Sequence, residues 1–303
     1  MNTARHPVGG LGAKPRSGGK PPRVGRRIHS GARHPKIVVV GLGLIGGSIA
    51  RGLTKKGWHV TGVDRPAPLR AARRARAIAR GSTALAPAAE GAALVVLAAP
   101  PRANLALLRV LAGLAHPPAA ITDVGSVKGP VCAAARRLGL RGFVGGHPMA
   151  GRARGGFAAS APDLFAGRAW VIAPGGAPLA AVRVVRRLVR TLGARVVAME
   201  PRAHDRAVAF VSHLPQLVSW ALLEAAQRDP VAARHLRVAG PGFADMTRLA
   251  ASPRGLWAQI LHENRVPVAD ALRAFERALH RRAAVARPRR RGTQSHTRQG
   301  GDP

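Results

Sequence analysis

The sequence predicts an α/β protein in which a doubly wound parallel sheet is followed by an all-helical C-terminal domain. Up to about residue 200, short apolar, β-branched runs such as KIVVV at 36–40 alternate with segments of helical spacing. Such alternation with short connections is typical of parallel strands joined by crossover helices. From about residue 201 to 280 the strand-like runs stop, and apolar residues recur at helical spacing.

The first predicted strand, KIVVV, is a continuous apolar, β-branched run, as expected for a strand buried on both faces. The predicted helices carry apolar residues three or four positions apart and close at or near a glycine, as at Gly57. Strands are expected at 36–40, 58–64, 91–100, 118–126, 142–148, 168–174 and 194–200, and helices at 47–57, 69–81, 102–114, 127–139 and 178–193.

A glycine-rich loop joins the first predicted strand to the first helix. The segment GLGLIG, which starts at Gly41, fits the G-x-G-x-x-G pattern and lies in the strand–turn–helix context that this pattern requires. Gly41 permits a tight turn, Gly43 lets the backbone approach a pyrophosphate, and Gly46 allows close helix–strand packing. With Leu44 and Ile45 at the start of the helix, these glycines form the predicted cofactor-binding loop of a Rossmann-type domain.

Asp64 ends the second predicted strand, 23 residues after Gly41. A carboxylate at this position suits the ribose 2′-hydroxyl of NAD and repels the 2′-phosphate of NADP. The sequence therefore favours NAD, although the adjacent Arg65 can soften this preference and NADP stays possible. Asp123 follows a later strand at the same edge of the sheet and is grouped with the cofactor-binding residues.

The chain is strongly basic, with 49 Lys and Arg against 13 Asp and Glu and a formal net charge of +36. All but six of these basic residues are arginine, and Ala, Gly and Pro are abundant, a composition that GC-rich coding produces without a functional cause. Nucleic-acid binding as the main role is disfavoured, because the chain has no Tyr, few aromatic residues for base stacking and no zinc-finger or RNA-recognition signature.

Composition and pattern divide the chain into four segments. Residues 1–35 and 282–303 are basic, rich in Gly, Pro and Arg and without hydrophobic period, which predicts disordered tails. Residues 36–200 form the predicted dinucleotide-binding domain. Residues 201–281 form the predicted helical domain, whose apolar stripe is expected to be buried against a second subunit in a homodimer.

The compartment expected from the sequence is the cytoplasm. No apolar run reaches the roughly 18 residues of a transmembrane helix, and no N-terminal segment has the apolar region of a signal peptide, so no membrane association is expected. The single cysteine, Cys132, excludes an intrachain disulfide, which fits a reducing compartment.

Candidate chemical groups follow strands at the carboxyl edge of the predicted sheet, where ligands of such folds bind. A histidine there, His147, can take the proton from a hydroxyl whose carbon gives up a hydride, since its ordinary pKa of about 6.5 suits this role. Ser126 either lies next to His147 at the nicotinamide end of the cofactor or caps the following helix. The side chain of Lys128 faces either a phosphate or solvent, and the sequence does not distinguish these alternatives. In the helical part, Arg248 is a fixed cation that suits a carboxylate substrate. The histidines show no metal-ligand spacing, so no metal site is expected.

Seven stretches of the chain occur in the order VVVGLGLIGGSIA, DVGSVKG, GGHPMAG, HDRAVAFVSHLPQ, GFADMTRLA, PRGLW and ENR. Over about residues 36–280 they resemble the prephenate and arogenate dehydrogenases of tyrosine biosynthesis, and DVGSVKG with GGHPMAG is the most specific pair. The resemblance implies an NAD(P)-dependent oxidative decarboxylation by a homodimer. Prephenate would give 4-hydroxyphenylpyruvate, and arogenate would give tyrosine.

The same resemblance implies roles for individual residues. His147 would be the base on the ring 4-hydroxyl, and Ser126 would orient both His147 and that hydroxyl. Arg248 would bind a carboxylate of the dicarboxylate substrate. The residues that would line or support the substrate pocket are His204, His213, Gln216 and Trp257.

The chain departs from the family pattern at four positions. Ala153 replaces a common glutamate and Gly155 a common serine, so an acidic gate at this place is lost. Gln216 lies where prephenate-specific members often have histidine, which leaves the choice between prephenate and arogenate open. Ala244 lies where arginine is common.

Two other classes of function remain as alternatives. A Rossmann dehydrogenase of the β-hydroxyacid type would need a catalytic lysine in its helical part, and residues 200–303 contain no lysine. The other class is a non-enzymatic role, either in NAD sensing or in nucleic-acid binding through the tails.

Overall fold

The computed structural model describes residues 35–152 and 154–286. Within these ranges the strands are β1 Ile37–Val40, β2 Val60–Val63, β3 Arg80–Ser82, β4 Leu94–Leu97, β5 Ile121–Asp123, β6 Phe143–Pro148, β7 Ala169–Ala173 and β8 Arg195–Ala198. The helices of the first domain are α1 Leu44–Lys55, α2 Pro66–Arg74, α3 Leu85–Ala89, α4 Pro101–Ala112, α5 Gly129–Arg137 and α6 Leu179–Thr191. The later helices are α7 Pro201–Val208, α8 Leu214–Arg228, α9 Pro230–Arg234, α10 Pro241–Thr247, α11 Arg254–Glu263 and α12 Arg265–Ala286.

The eight strands form one sheet in the order β3-β2-β1-β4-β5-β6-β7-β8. The strands from β3 to β6 are all parallel, which confirms the predicted doubly wound architecture. The chain first builds outward from β1 to β3 and then crosses to β4 on the other side of β1. The carboxyl ends of β1 and β4 therefore frame the point at which such sheets bind ligands.

The predicted parallel sheet has one antiparallel pair of strands. β7 runs antiparallel to β6, with His147 opposite Val171. In the described part of the connection between β6 and β7, helical structure is limited to the short 3₁₀ turn Phe157–Ala159. A parallel return needs a crossover of a dozen or more residues, usually helical, and without one the chain comes back alongside the strand that it left.

Both faces of β1 are buried, which explains why this strand is a continuous apolar run. Ile37 and Val39 belong to one core cluster, whereas Val38 and Val40 belong to a second cluster on the opposite face. The first cluster includes residues of α1 and α6, and the second includes residues of α3, α4 and α5. The sheet is thus a middle layer between two helical layers, as expected for this fold class.

The helix predicted at 69–81 is wrong in its second half. The α2 helix ends at Arg74, and Arg76 adopts a left-handed backbone with φ of 52°. The N–H of Ala77 then bonds to the Ala72 carbonyl at 2.9 Å, a helix-terminating pattern that lets Ile78 turn into the core. The following residues form the short edge strand β3, which the sequence pattern did not indicate.

The domain after β8 is entirely helical in its described part, as predicted. It starts at Pro201, where the Glu200 side chain accepts a hydrogen bond from the Arg202 N–H at 3.4 Å. A π-helical turn, Ala209–His213, joins α7 to α8 without a break. Such turns occur mostly inside α-helices and often at functional sites.

One helical run of the described residues, Pro201–Arg228, is long and apolar enough to cross a membrane by length and composition alone. Several polar side chains of this run are buried against other parts of the chain, which is typical of a helix in a protein interior. They are His204, Asp205, His213, Gln216 and Ser219.

The last helix, α12, continues to Ala286, five residues past the predicted end of the helical domain. Its final residues, RRAAVA, are good helix formers, and Pro288 disfavours the helical conformation for the residue before it. Residues 1–34 and 287–303, which make up nearly all of the predicted tails, lie outside the described residues, as does Ala153.

Candidate active site

The glycine loop between β1 and α1 depends on glycine at two positions. Gly41 has a φ of +88°, and a Cβ there would lie 2.6 Å from the Ala98 carbonyl oxygen. A Cβ on Gly46 would lie 1.8 Å from the Gly41 carbonyl oxygen. Both glycines are therefore needed for the tight turn and for the close contact of α1 with the sheet.

Gly43 differs from these two glycines because a Cβ there would meet nothing within 4 Å. Gly43 directly precedes α1, which begins at Leu44 and Ile45 without a side-chain cap. The first N–H groups of a helix lack intrahelical partners and suit an anion. Backbone and space at this loop thus fit the pyrophosphate of a dinucleotide.

Asp64 lies just past the end of β2, beside the glycine loop. Its Oδ2 accepts a hydrogen bond from the Leu42 N–H at 2.6 Å, and its Oδ1 accepts one from the Arg65 N–H at 2.6 Å. Each carboxylate oxygen can accept more than one hydrogen bond, so capacity for a ribose hydroxyl remains. The Arg65 side chain is exposed.

Asp123, which the sequence groups with the cofactor-binding residues, has an internal role in this structure. Asp123 is 1% exposed and forms an ion pair with Lys128, which is completely buried. Its carboxylate also accepts hydrogen bonds from the N–H groups of Gly125 at 2.8 Å and Gly146 at 3.0 Å. The Lys128 ammonium donates a further bond to the Gly146 carbonyl at 2.7 Å, so it faces neither phosphate nor solvent.

His147 belongs to a buried chain of three side chains. Its Nδ1 lies 2.8 Å from Nε2 of His204, and Nδ1 of His204 lies 2.8 Å from Oδ1 of Asp205. The two rings meet edge to face, with centroids 5.1 Å apart. His204 is thus completely buried behind His147, where it supports the ring and does not line an open pocket.

Asp205 connects this chain to the first domain. Its Oδ1 accepts a hydrogen bond from the Lys128 N–H and its Oδ2 accepts one from the Gly129 N–H, both at 2.7 Å. These are the N–H groups at the start of α5, where a carboxylate is favourable. A side chain of the helical domain therefore fixes the segment that holds the Lys128–Asp123 pair.

The environment keeps His147 neutral. Burial holds the pKa of His147 well below its ordinary value of 6.5, and the nearby Lys128, His204 and His213 lower it further. At neutral pH the ring is therefore an unprotonated base. Its Nε2 has no hydrogen-bond partner in the described part of the chain and is not among the buried unpartnered atoms, so it keeps access to a ligand.

Ser126 lies in a cleft between the two domains and is partly exposed. In the described part of the chain, Ser126 forms no hydrogen bond with His147. The Ser126 side chain also does not cap α5. A partly buried glutamate, Glu263 of α11, faces the same cleft, and burial raises the pKa of its carboxyl. The cleft is lined by Pro101, Asn104, Leu105, Asp123, Gly125, Ser126, Val127, Val131 and Glu263.

His213 is oriented by a buried amide. The Asn264 Nδ2 donates to the Asp205 backbone carbonyl at 2.8 Å and to His213 Nδ1 at 3.0 Å. Because this nitrogen must donate, His213 Nδ1 is an acceptor and the ring proton lies on Nε2, which is buried without a partner. Trp257 meets the same ring edge to face, with centroids 5.8 Å apart.

Gln216 lies one turn after His213, and only one of the two polar atoms of its side-chain amide has a hydrogen-bond partner. Its Nε2 donates to the Leu249 carbonyl at 2.7 Å, which leaves its Oε1 buried and unpartnered. Arg248 directly precedes Leu249, and its side chain is exposed without a hydrogen bond or ion pair in the described part of the chain. The structure thus brings Arg248 next to the Gln216 segment but not into contact with His147.

Two family models match consecutive parts of the chain. The model described as prephenate dehydrogenase, nucleotide-binding domain, matches residues 49–198, and the one described as prephenate dehydrogenase, dimerization domain, matches residues 200–293. The chain belongs to the prephenate dehydrogenase family. A prephenate dehydrogenase of Bacillus subtilis is 34% identical over 243 residues, which are 77% of this chain and 65% of that relative.

Solved structures of the prephenate dehydrogenase family have the same fold. Prephenate dehydrogenase from Aquifex aeolicus, in complex with hydroxyphenyl propionate and NAD+, matches with a TM-score of 0.76 and 30% identity, covering 82% of this chain and 90% of that one. Arogenate dehydrogenase of Synechocystis matches with a TM-score of 0.71 and 30% identity, covering 82% and 91%.

Sequence reasoning missed several residues of this family member's site. Asp205 lies in the motif HDRAVAFVSHLPQ and Asn264 in ENR, but the sequence alone indicates no role for either residue. Both act through contacts that link distant segments, such as the bond from the Lys128 N–H to Asp205 across 77 positions. The only local signal was the adjacent pair His204 and Asp205 in the sequence.

Proposed function

We propose that this chain catalyses the oxidative decarboxylation of prephenate to 4-hydroxyphenylpyruvate, with NAD as hydride acceptor, as a step of tyrosine biosynthesis. The observation that carries the proposal is the His147 ring, which is neutral, held on its Nδ1 side and free on its Nε2 side. Membership of the family supplies the reaction class.

In the proposed reaction, His147 Nε2 takes the proton from the ring hydroxyl while the hydride leaves the same carbon for NAD. The resulting ring ketone loses carbon dioxide from the opposite ring carbon, and the electron pair of that bond flows to the oxygen as the ring becomes aromatic. The imidazolium of His147 then returns its proton to the phenolate oxygen. The reaction requires the protein to position the substrate and to supply one proton acceptor. A histidine can fill this role, and no strong nucleophile is needed.

The cofactor is proposed to bind at the glycine loop, with Gly43 and the start of α1 at the pyrophosphate and Asp64 at the ribose. NAD supplies hydride acceptance when bound. Support comes from the open space at Gly43 and from the family model for a nucleotide-binding domain.

Two further residues are proposed to contact the substrate. Ser126 lies in the cleft between the domains and would hydrogen-bond the reacting hydroxyl. Arg248 would pair with a substrate carboxylate, because its guanidinium is exposed and has no acidic partner in the described part of the chain. We expect Arg248→Gln mainly to raise the KM for the substrate, and a loss confined to kcat would contradict the carboxylate role.

Arogenate is the second candidate substrate, and two buried atoms favour it. The Nε2–H of His213 is a donor without a partner, and the Oε1 of Gln216 is an acceptor without a partner one turn later. An α-amino acid side chain offers a carboxylate for the donor and an ammonium for the acceptor. The keto oxygen of prephenate can only accept, and it leaves the Gln216 oxygen unpaired.

The chain is proposed to act as a homodimer through its helical domain, in the cytoplasm. Few apolar side chains of this domain are buried within the subunit, and the family model for this part is described as a dimerization domain. A dimer would cover the apolar residues that the single chain leaves exposed.

The proposal is tested by nicotinamide reduction with purified protein, with prephenate and arogenate each tried with NAD and with NADP. Turnover of prephenate with NAD is the expected result. Preference for arogenate would assign the second candidate, and no turnover in any combination, in folded protein that binds NAD, would contradict the function.

A further inference from the structure

We propose that Asp205 is a positioning residue that acts through His204 to fix the tautomer of His147, with its proton on Nδ1 and its lone pair on Nε2. The catalytic consequence rests on the proposed function, in which His147 is the base. The tautomer itself is a property of the protein without substrate, and it can be measured independently of any activity.

The argument begins at Asp205, whose two oxygens accept hydrogen bonds from the backbone N–H groups of Lys128 and Gly129 at 2.7 Å each. A carboxylate at neutral pH has no proton to donate. The contact of 2.8 Å between Asp205 Oδ1 and His204 Nδ1 therefore requires that the proton lies on the histidine nitrogen.

The tautomer then passes from one ring to the next. In a neutral His204 that carries its proton on Nδ1, the Nε2 atom is an acceptor. It lies 2.8 Å from His147 Nδ1, so His147 must donate from that nitrogen. Neutral His147 consequently has a bare Nε2, the only ring position from which it can accept a proton.

Charge in the neighbourhood supports the neutral form of His147. The buried Lys128 ammonium donates to the Gly146 carbonyl, immediately before His147, so a cation is already present beside the rings. A further positive charge there is opposed in the resting state. The Asp205 carboxylate, at the far end of the chain, favours the imidazolium that forms when His147 accepts its proton.

Asp205 is held by contacts from two elements of the fold. It lies on α7 and is held from the start of α5, while His147 lies on β6 between these elements. The arrangement has the logic of an aspartate that orients a catalytic histidine, with one additional ring between the two.

The first test reads the tautomer directly. In wild-type protein labelled with ¹⁵N-histidine, the His147 signals are assigned by their loss in His147→Asn. At neutral pH we expect a protonated Nδ1 and an unprotonated Nε2 on His147. A proton on Nε2 in the resting enzyme would overturn the proposal, whether or not the protein turns over any substrate.

The second test removes the carboxylate with Asp205→Asn. The amide nitrogen can donate to His204 Nδ1, which would reverse both tautomers, and the negative charge is gone. We expect kcat to fall by about 100-fold or more, less than the roughly 10⁴-fold loss when such an aspartate bonds the catalytic histidine directly. The KM for the substrate and the Kd for NAD should stay within about twofold, because the residues proposed to bind the substrate and the cofactor are unchanged.

Asp229→Asn is the matched control. Asp229 also accepts two backbone N–H bonds at the start of a helix, from Val231 at 3.0 Å and Ala232 at 2.8 Å, but it is exposed and caps α9. It should leave kcat and the His147 tautomer unchanged. Equal losses in the two variants would reduce Asp205 to a helix cap and overturn the proposal.

The pH profile separates positioning from a purely structural role. Loss of the Asp205 charge should move the acid limb of kcat/KM to lower pH, because the imidazolium of His147 loses a favourable neighbour. An unchanged limb together with an unchanged tautomer would overturn the proposal. The charged and titratable groups near the rings, which stay the same in both proteins, are Asp123, Lys128, His213 and Glu263.

If Asp205→Asn does not fold, substitutions of His204 decide the matter. Glutamine can still accept from His147 Nδ1 through its Oε1, whereas leucine cannot. We expect His204→Gln to retain the Nδ1–H tautomer and at least about tenfold more kcat than His204→Leu, an energy difference of about 1.4 kcal/mol. Equal activity in the two variants would contradict the relay of the tautomer through His204.

Discussion

The glycines before His147 are required by close approach of the backbone. A Cβ on Gly146 would lie 2.4 Å from the Asp123 carbonyl oxygen, and one on Gly145 would lie 2.9 Å from Cys132 Sγ. Without side chains at these positions, β6 can lie close enough for Lys128 to reach the Gly146 carbonyl. The glycines before His147 are thus needed to bury this ionisable ring beside its hydrogen-bonded neighbours.

The pH dependence of the reaction follows from the lowered pKa of His147. The base is active when unprotonated, so a pKa below 6.5 means that activity persists as pH falls through 6.5 and is lost only below it. We expect the acid limb of kcat/KM to lie below pH 6.5, with folding checked at each pH by circular dichroism. Exposed His235→Gln should not move it, and a limb at or above pH 6.5 would contradict the assignment.

Individual site residues were predictable only where they lie in a recognisable local sequence motif. His147 and the loop glycines follow strands in recognisable motifs, so the sequence indicated them. The role of the fully buried Lys128 is not predictable from the sequence, because its partner Asp123 becomes apparent only once the loop is folded. Asp205 was missed since its contacts join segments that are far apart in the sequence.

At the scale of elements, the alternation of strands and helices was predictable because most strands, such as β1, β4 and β7, are largely buried apolar runs. Two features were not. The edge strand β3 is only Arg80–Ser82, too short and too polar to show a pattern, and the direction of β7 depends on its connection and not on its own residues. Whether a segment forms a helix or a strand is thus decided locally in this protein. The direction of a strand and its pairing at the sheet edge depend on the segments that connect the elements.

The glycine loop provides a matched pair of substitutions within one element. A Cβ on Gly43 meets nothing in the protein, whereas one on Gly46 meets the Gly41 carbonyl oxygen at 1.8 Å. We expect Gly43→Ala to keep the thermal midpoint and to raise the Kd for NAD by about tenfold or more, a loss of about 1.4 kcal/mol. Gly46→Ala should lower the midpoint itself, because α1 must move away from the sheet.

Calorimetry and thermal unfolding check both substitutions, with Gly240→Ala as a control at an open position of the helical domain. Equal NAD affinity in wild type and Gly43→Ala would show that the cofactor does not approach this glycine.

At the scale of the whole molecule, exposed apolar side chains are concentrated in the helical domain. Among the large exposed apolar residues of ranges 35–152 and 154–286, only Val110 and Leu179 belong to the first domain. The isolated core of the helical domain is small and centres on Ala209, Val268 and Ala271. The large exposed apolar residues of this domain are Phe210, Val211, Val231, Val238, Met246, Leu256, Val266, Leu272 and Leu279.

A dimer through this surface can be tested by placing charge on it. We expect the wild type to sediment as a dimer and the double variant Met246→Glu and Val266→Glu to dissociate, since a buried unpaired carboxylate is costly. Leu179→Glu is the matched control, because Leu179 is 74% exposed but lies on α6 of the first domain. A wild-type monomer at micromolar concentration would contradict the dimer.

The most direct test of the account is the turnover rate of His147→Asn with prephenate and NAD. Asparagine keeps a polar side chain near the position of Nδ1 but offers no base at the position of Nε2. The account predicts a fall in kcat of roughly two to four orders of magnitude, the range for loss of a general base, with the Kd for NAD nearly unchanged. Wild-type turnover in this variant would contradict the assignment of His147 as the base.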